Sequence, residues 1–280
     1  MDMPLSTLHE ATLTSTRRIT PPGSPEDVRH LVFVCDDPGF QAAIGQCVRV
    51  RAPGRFGQRF HERLYSVAGV EPLDAQRTEF ALLVRRCSSI DDFNGERYPG
   101  VASHLLCDLL PGDRISFSGP VGHPFVVPAD RSAPLLMIGM GTGIAPFRGL
   151  VQRIHQQAGG WNGPVRLFYG ARSGLEMLYM NDENNDLGLF FDRATFKAVQ
   201  AISPRPHFGE PPALADAIHG HAAEVWELLR ARGAQVYIAG PQALLPRVDA
   251  ALARTAGSEG AWHAVRNRLV AEQRWHEVLY

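Results

Sequence analysis

Residues Leu135 to Arg148 read LLMIGMGTGIAPFR, an apolar run that breaks into glycines and resumes at helical spacing. Leu135, Leu136, Met137 and Ile138 are four consecutive apolar residues, the pattern of a strand covered on both faces in a parallel sheet. Gly139, Gly141 and Gly143 then permit a tight turn and close backbone approach, and they leave backbone N–H groups pointing out of a helix start. Pro146 suits the first turn of that helix, and Phe147, Leu150, Val151 and Ile154 supply its buried stripe. A strand, a glycine turn and a helix in this order form a phosphate-sized anion site. The G-x-G-x-G spacing differs from the G-x-G-x-x-G dinucleotide motif, and a glycine turn is often only a tight connection, so a nucleotide reading needs a second motif elsewhere.

The chain has room for one. Its 280 residues are enough for two domains with separate cores. No apolar run is long enough to span a membrane, and the N-terminus lacks a basic start followed by an apolar core, so neither a membrane segment nor a secretory leader is expected. A formal net charge of -1 argues against general nucleic-acid binding. Cys35, Cys47, Cys87 and Cys107 are scattered without metal-ligand spacing, which predicts reduced thiols in a cytoplasmic protein and no metal site. Any one-electron carrier must then lie on another chain.

From Ala11 to about Val127, six short segments alternate β-branched and aromatic residues with polar ones: ATLTSTRRITP, DVRHLVFVC, QCVRVRAP, RLYSVAG, EFALLVRRC and DRISFSGPVG. Turn chemistry in DDPGF, APGRFG and LLPGD separates them, and six strands at this spacing predict an antiparallel barrel. Gly100 to Leu110, GVASHLLCDLL, predicts a helix capped by Ser103, with Leu105, Leu106, Leu109 and Leu110 buried. Its N-terminus would face the strand carrying Arg63 to Ser66. In that strand Arg63 can bond a phosphate, Tyr65 offers a flat ring for stacking, and Ser66 offers a hydroxyl to a heterocycle edge. An ordinary barrel strand with an exposed arginine would carry the same residues.

In the second half, VRLFYGAR (Val165–Arg172), FKAVQAIS (Phe196–Ser203) and AQVYIAG (Ala234–Gly240) read as further parallel strands, and Ala223–Arg232 as an amphipathic helix. Ligands in open α/β sheets sit outside the carboxyl ends of strands, where Arg172 would meet a nucleotide phosphate.

The ordered set RLYSVAG, GVASHLLCDLLPGD, GPVG (Gly119–Gly122), GMGTGIAPFR and a terminal aromatic residue resembles the plant-type ferredoxin-NADP reductase family over nearly the whole chain. The resemblance implies an FAD-binding β-barrel over residues 1–130 and an α/β NAD(P)-binding domain with a parallel sheet over 131–280, the flavin lying at their junction. It assigns Arg63, Leu64, Tyr65, Ser66, Val84, Arg85, Val101, Ala102 and Ser103 to FAD. It assigns Gly141, Thr142, Gly143, Arg172, Ser203, Arg205 and Gly240 to the nucleotide. Ser103, Tyr280 and Glu277 become the catalytic positions, with the Tyr280 ring covering the flavin. There are departures. Pro204 separates Ser203 from Arg205, and the family's following tyrosine and lysine give way to PPALADAI, so NAD stands beside NADP as the nucleotide. Ala239 replaces the common cysteine, and Glu277 stands one position before the family's carboxylate.

The implied activity is FAD-dependent hydride transfer between NAD(P)H and flavin N5, followed by single-electron exchange with a separate ferredoxin or flavodoxin. An NADH-preferring reductase component of an oxygenase, or a free-flavin or quinone reductase, is the alternative, and a non-catalytic FAD-binding module ranks last. Arg49, Arg51, Arg55, Arg59 and Arg63 form a local basic run that an acidic carrier could meet. A monomer or weak dimer is expected.

Overall fold

The structure is a computed structural model that describes residues 7–55, 57–91, 93–157, 160–190, 194–203 and 213–280. It divides into two compact units, Met1–Pro124 and Phe125–Tyr280.

The first unit is the expected antiparallel barrel. Strands β1 (Leu8–Arg18), β2 (Val28–Cys35), β3 (Cys47–Pro53), β4 (Phe60–Pro72), β5 (Thr78–Arg85) and β8 (Arg114–Val121) close in the order β1-β2-β5-β4-β3-β8. Alternation in β3 puts Val48, Val50 and Ala52 inside while Arg49 and Arg51 face outward, as period-two geometry requires. Phe33, Phe40, Phe80 and Phe117 fill the barrel with ring centroids 5.0–5.5 Å apart. Each contributes on the order of 1.5–3 kcal/mol of burial, which is why so short a set of strands holds a closed core.

Two details depart from the sequence expectation. A hairpin of β6 (Ser88–Ile90) and β7 (Arg97–Pro99) follows β5. The helix α1 (Val101–Asp108) has Gly100, not Ser103, as its N-cap, and Ser103 sits inside the first turn. Its buried residues are Ala102, Ser103, Leu106 and Cys107, whereas Leu110 lies beyond the helix and is exposed. The helix stops at Asp108, and Leu109, extended just beyond it, is buried in the barrel core as expected.

The second unit carries a wholly parallel sheet in the order β11-β10-β9-β12-β13, formed by β9 (Leu135–Met140), β10 (Val165–Ala171), β11 (Phe196–Ile202), β12 (Gln235–Gly240) and β13 (Trp275–Leu279). β9 is central, and Leu135, Leu136, Met137 and Ile138 are all inaccessible to solvent, as a two-face-buried strand demands. After β9, Gly141–Gly143 forms one 3₁₀ turn that leads into α2 (Ile144–Gln152). The helices α3 (Ala213–Gly220), α4 (Ala222–Arg230), α5 (Leu244–Ala256) and α6 (Glu259–Ala271) complete the unit. They share one core with β9, β10 and β12, built on Leu136, Ile138, Phe168, Val236 and Ile238.

Candidate functional site

In the first unit, α1 packs against β3, β4 and β5 and brings its N-terminus to the strands that carry the expected flavin residues. Gly100 caps the helix without a side chain, so the first amides of α1 are left for another acceptor. The Ser103 hydroxyl accepts from the Cys87 amide at 3.1 Å and faces the Gly100 carbonyl at 3.4 Å. A Cβ on Gly100 would lie 2.7 Å from that hydroxyl, so only glycine lets Ser103 keep this position. Val101 is half-buried and Ala102 buried beside it.

On β4, Tyr65 is half-buried opposite Val48, and Ser66 is paired with Cys47, whose thiol lies 3.7 Å from its hydroxyl. Burial first, then Cys87 and Cys107, raises the Tyr65 phenol well above its usual range, so the ring stays protonated and able to donate. Arg63 and Leu64 are exposed, and the Arg63 guanidinium spends one donor on the Glu62 carbonyl at 3.2 Å. Val84 is fully buried and Arg85 binds Glu26 at 3.1 Å. Next to it Arg86 bridges Asp27 at 2.9 Å and Asp108 at 2.8 Å. A polar cleft of about 580 Å³ opens here, lined by Arg85, Arg86, Arg97, His104, Glu26 and Asp27 among others. Arg97 and His104 were not singled out from the sequence, because only the β6–β7 hairpin and the turn of α1 bring them there. A guanidinium, a neutral phenol, a hydroxyl and an uncapped helix start make a donor set that suits the phosphates and flat ring of a flavin nucleotide.

In the second unit, the glycine turn is held against β12. A Cβ on Gly143 would lie 2.1 Å from the Ala239 carbonyl oxygen, so its glycine is required by backbone packing. The Tyr169 hydroxyl bonds the Gly141 carbonyl at 2.8 Å and fixes the turn from below. Tyr280 closes over the same turn: the Thr142 hydroxyl donates to its phenol oxygen at 2.6 Å, its amide bonds the Gly240 carbonyl at 3.1 Å, and its carbonyl accepts from Gln242. The Tyr280 side chain nonetheless remains 46% exposed. Thr142, Gly141, Gly240 and Tyr280 are thus one cluster at the carboxyl ends of β9 and β12.

Glu277 stands apart from that cluster. Its carboxylate accepts from the Trp275 indole and lies 3.8 Å from Arg266 of α6. An odd spacing from Tyr280 in extended backbone turns the two side chains to opposite faces.

A second cleft in this unit, of about 420 Å³, is lined by Met140, Arg172, Ser203, Leu214, Arg247 and Arg254 among others. Arg172 binds Glu176 at 3.3 Å. Ser203 is 8% exposed, and among the described residues its hydroxyl meets no partner. Arg205 lies outside the described residues. Arg247 and Arg254 were missed in the sequence, although their seven-residue spacing on an amphipathic helix is a signal that both share one face.

An antiparallel barrel followed by a parallel sheet with its glycine turn at the central strand defines a dinucleotide-using oxidoreductase architecture. A family described as an oxidoreductase NAD-binding domain matches residues 137–249. The chain is 30% identical to the cyanelle ferredoxin–NADP reductase of Cyanophora paradoxa, over 94% of this chain and 74% of that protein. It is also 30% identical to the ferredoxin–NADP reductase of Thermosynechococcus vestitus, over 95% of this chain and 71% of the relative. The chain belongs to the ferredoxin–NADP reductase family and is an oxidoreductase. A structure of Plasmodium falciparum ferredoxin-NADP+ reductase with 2'P-AMP superposes with a TM-score of 0.72 at 18% identity, covering 99% of this chain and 98% of that one, and so shares its fold.

Proposed function

We propose that the protein moves electrons between NADPH and a one-electron carrier, a ferredoxin or flavodoxin, with FAD as the resident group and NADH as a weaker substrate. FAD supplies the conversion between a hydride and single electrons. The chain's own residues bind and align. Arg63 and the uncapped start of α1, through Val101, Ala102 and Ser103, hold phosphate oxygens. Tyr65 would stack on the flavin ring beside Leu64, Ser66 and Arg85 would bond its polar edges, and Val84, whose side chain lies in the barrel core, would meet it through its backbone alone. Ser103 offers its hydroxyl to the reacting edge. In the second unit Gly141, Thr142, Gly143 and Gly240 cradle the nicotinamide end of the nucleotide, and Arg172 and Ser203 take its far end. Tyr280 occupies the nicotinamide position until the nucleotide displaces it. Glu277 is bound to Arg266 and Trp275, and we give it no chemical step. The four free cysteines support a reducing compartment such as the cytoplasm. Among the described residues no helix is long and apolar enough to cross a membrane.

The observation that carries this reading is the bond from Thr142 to Tyr280, which parks a flat ring on a glycine turn built to receive a nucleotide. The outer face of β3 supports the carrier. Arg51 and Arg59 sit over the exposed Phe60 ring at 4.6 and 5.1 Å, with Arg55 close by in sequence. Burial first, then the charges of Arg63 and Arg55, lowers the His61 imidazole. Steering by such a face is screened over about 8–10 Å at moderate salt. Stopped-flow reduction of an acidic ferredoxin should therefore slow steeply with salt, while reduction of a small neutral dye barely changes. Failure of both NADPH and NADH to bleach the bound flavin would overturn the reading.

A further inference from the structure

β13 is an edge strand of the parallel sheet, paired with β12 alone. Five residues with one neighbouring strand hold their register poorly through backbone pairing, yet this strand decides where the Tyr280 ring lies on the glycine turn. Further contacts come from α5 and α6, on the face of β13 that carries Trp275 and Glu277.

Asp249 of α5 is divided between two residues of α6. One of its oxygens accepts from the buried Trp262 indole at 3.1 Å, and the other meets the Arg266 guanidinium at 3.1 Å. Arg266 is divided in turn: its second terminal nitrogen lies 3.8 Å from Glu277, and its guanidinium carbon lies 5.3 Å from the centre of the Trp275 ring. Trp275 closes the circuit, donating its indole N–H to Glu277 and packing on Trp262 with centroids 5.7 Å apart. The three charged side chains are 27–30% exposed, so water screens each pair and none holds the strand alone.

The joint between α6 and β13 is tight. The Gln273 amide bonds the Val270 carbonyl at 3.0 Å and the Arg274 amide bonds the Leu269 carbonyl at 2.7 Å, a Schellman turn that starts β13 without slack. At the far end of the strand, the Gln242 amide, just before α5 begins, donates to the Tyr280 carbonyl at 3.0 Å. β13 is therefore tied to α5 and its approach at both ends.

We propose that Arg266, Asp249 and Glu277 are positioning residues that hold β13 in register and so set how readily the Tyr280 ring yields the glycine turn to a nucleotide. The inference rests on the reading that this ring stands in the nucleotide's place. A nucleotide binds only when the ring is displaced, so its apparent affinity falls with the displaced fraction, and each contact that seats the ring lowers that fraction. Glu277, turned away from the glycine turn, serves by tying β13 to α6.

The test is calorimetric binding of NADP+, with NAD+ run alongside, to the FAD-loaded full chain. Arg266→Ala removes the partner shared by both carboxylates and should tighten both nucleotides by about threefold, the size of one partly solvated pair. Glu277→Gln keeps an acceptor for the Trp275 indole and loses the charge, so it should tighten them by less, and it carries the comparison if Arg266→Ala does not fold. Arg266→Lys keeps the charge without the planar fork and should fall between Arg266→Ala and the unaltered chain. A general folding defect would weaken binding, the opposite direction. Exchange of the Tyr280 amide, which bonds the Gly240 carbonyl, should speed by about the same threefold in Arg266→Ala. In a Tyr280→Ser chain there is no ring to seat, and Arg266→Ala should then leave both affinities unchanged. Equal tightening with and without the ring, or unchanged amide exchange, would overturn the proposal. If Tyr280→Ser by itself fails to tighten either nucleotide, the seated-ring reading falls and this inference with it. If Tyr280→Ser tightens them while Arg266→Ala and Glu277→Gln do not, this inference alone falls.

Discussion

The barrel and the parallel sheet prepare their candidate sites in opposite ways. In the barrel, the polar groups around the residues proposed for the flavin are already engaged: Arg85 with Glu26, Arg86 with Asp27 and Asp108, and Ser103 with the Cys87 amide. In the sheet, the Ser203 hydroxyl meets no partner among the described residues, and the glycine turn is covered by a ring half open to solvent. The first arrangement suits a group that stays bound, because prepaired donors lose little on binding. The second suits a ligand that comes and goes, because its partners exchange one contact for another.

The largest expected effect compares two glycines. Gly143→Ala places a methyl 2.1 Å from backbone, which cannot swing away, and should destabilise the second unit by about 3 kcal/mol or more. Gly100→Ala first meets the Ser103 hydroxyl, a side chain that can rotate, and should cost about 1–3 kcal/mol while disturbing flavin absorbance. Thermal unfolding of both variants checks the order, and a larger loss for Gly100→Ala would reverse the comparison.

Next is Arg63→Ala, which removes an exposed guanidinium and should weaken FAD retention by about 1.5–3 kcal/mol, read by dialysis and flavin fluorescence. Tyr280→Ser should lower the Michaelis constants for both nucleotides and narrow the preference between them, since the ring no longer competes. Unchanged constants and an unchanged flavin spectrum would mean the ring plays no such part.

The smallest effect tests the prepaired network. Burial would raise the Asp27 carboxyl, but hydrogen bonds from Arg86 and then Arg29 outweigh it and hold the carboxyl below its ordinary 3.8. A depressed carboxylate stabilises the fold above that value and loses its contribution as pH falls through the folded-state value. Asp27→Asn should therefore flatten the stability profile of the protein below about pH 4, by under about 1 kcal/mol for so partly solvated a group. A profile as steep as that of the unaltered chain would remove Asp27 from the network.

Both sheets were legible because their signals are local. Leu135–Ile138 admits no polar face, and the alternation of β3 is visible in VRVRA. The β6–β7 hairpin was not legible, since its strands are three residues each and mostly exposed. Helix α6 was missed because only Trp262 and Leu269 are buried along its thirteen residues, too thin a stripe to stand out. The sequence marked Ser103 as belonging to a helix start, but the Cys87 amide that fixes its hydroxyl arrives from another element. The α5 arginines line a cleft only once α3 packs against α5, and such long-range juxtaposition leaves no local trace.

The seam of the barrel sets an order of events during synthesis. Leu8 pairs with Ser118 and Thr12 with Arg114, so the first strand of the barrel to be made waits for the last strand of its unit before either has two neighbours. Until then β1 has only β2 beside it, and its other edge is open to any extended peptide. Such nonlocal closure is slow compared with hairpin formation. Crowded expression should accordingly trap the nascent barrel more readily than the finished one, and slower translation through Arg114–Val121 should raise the soluble yield.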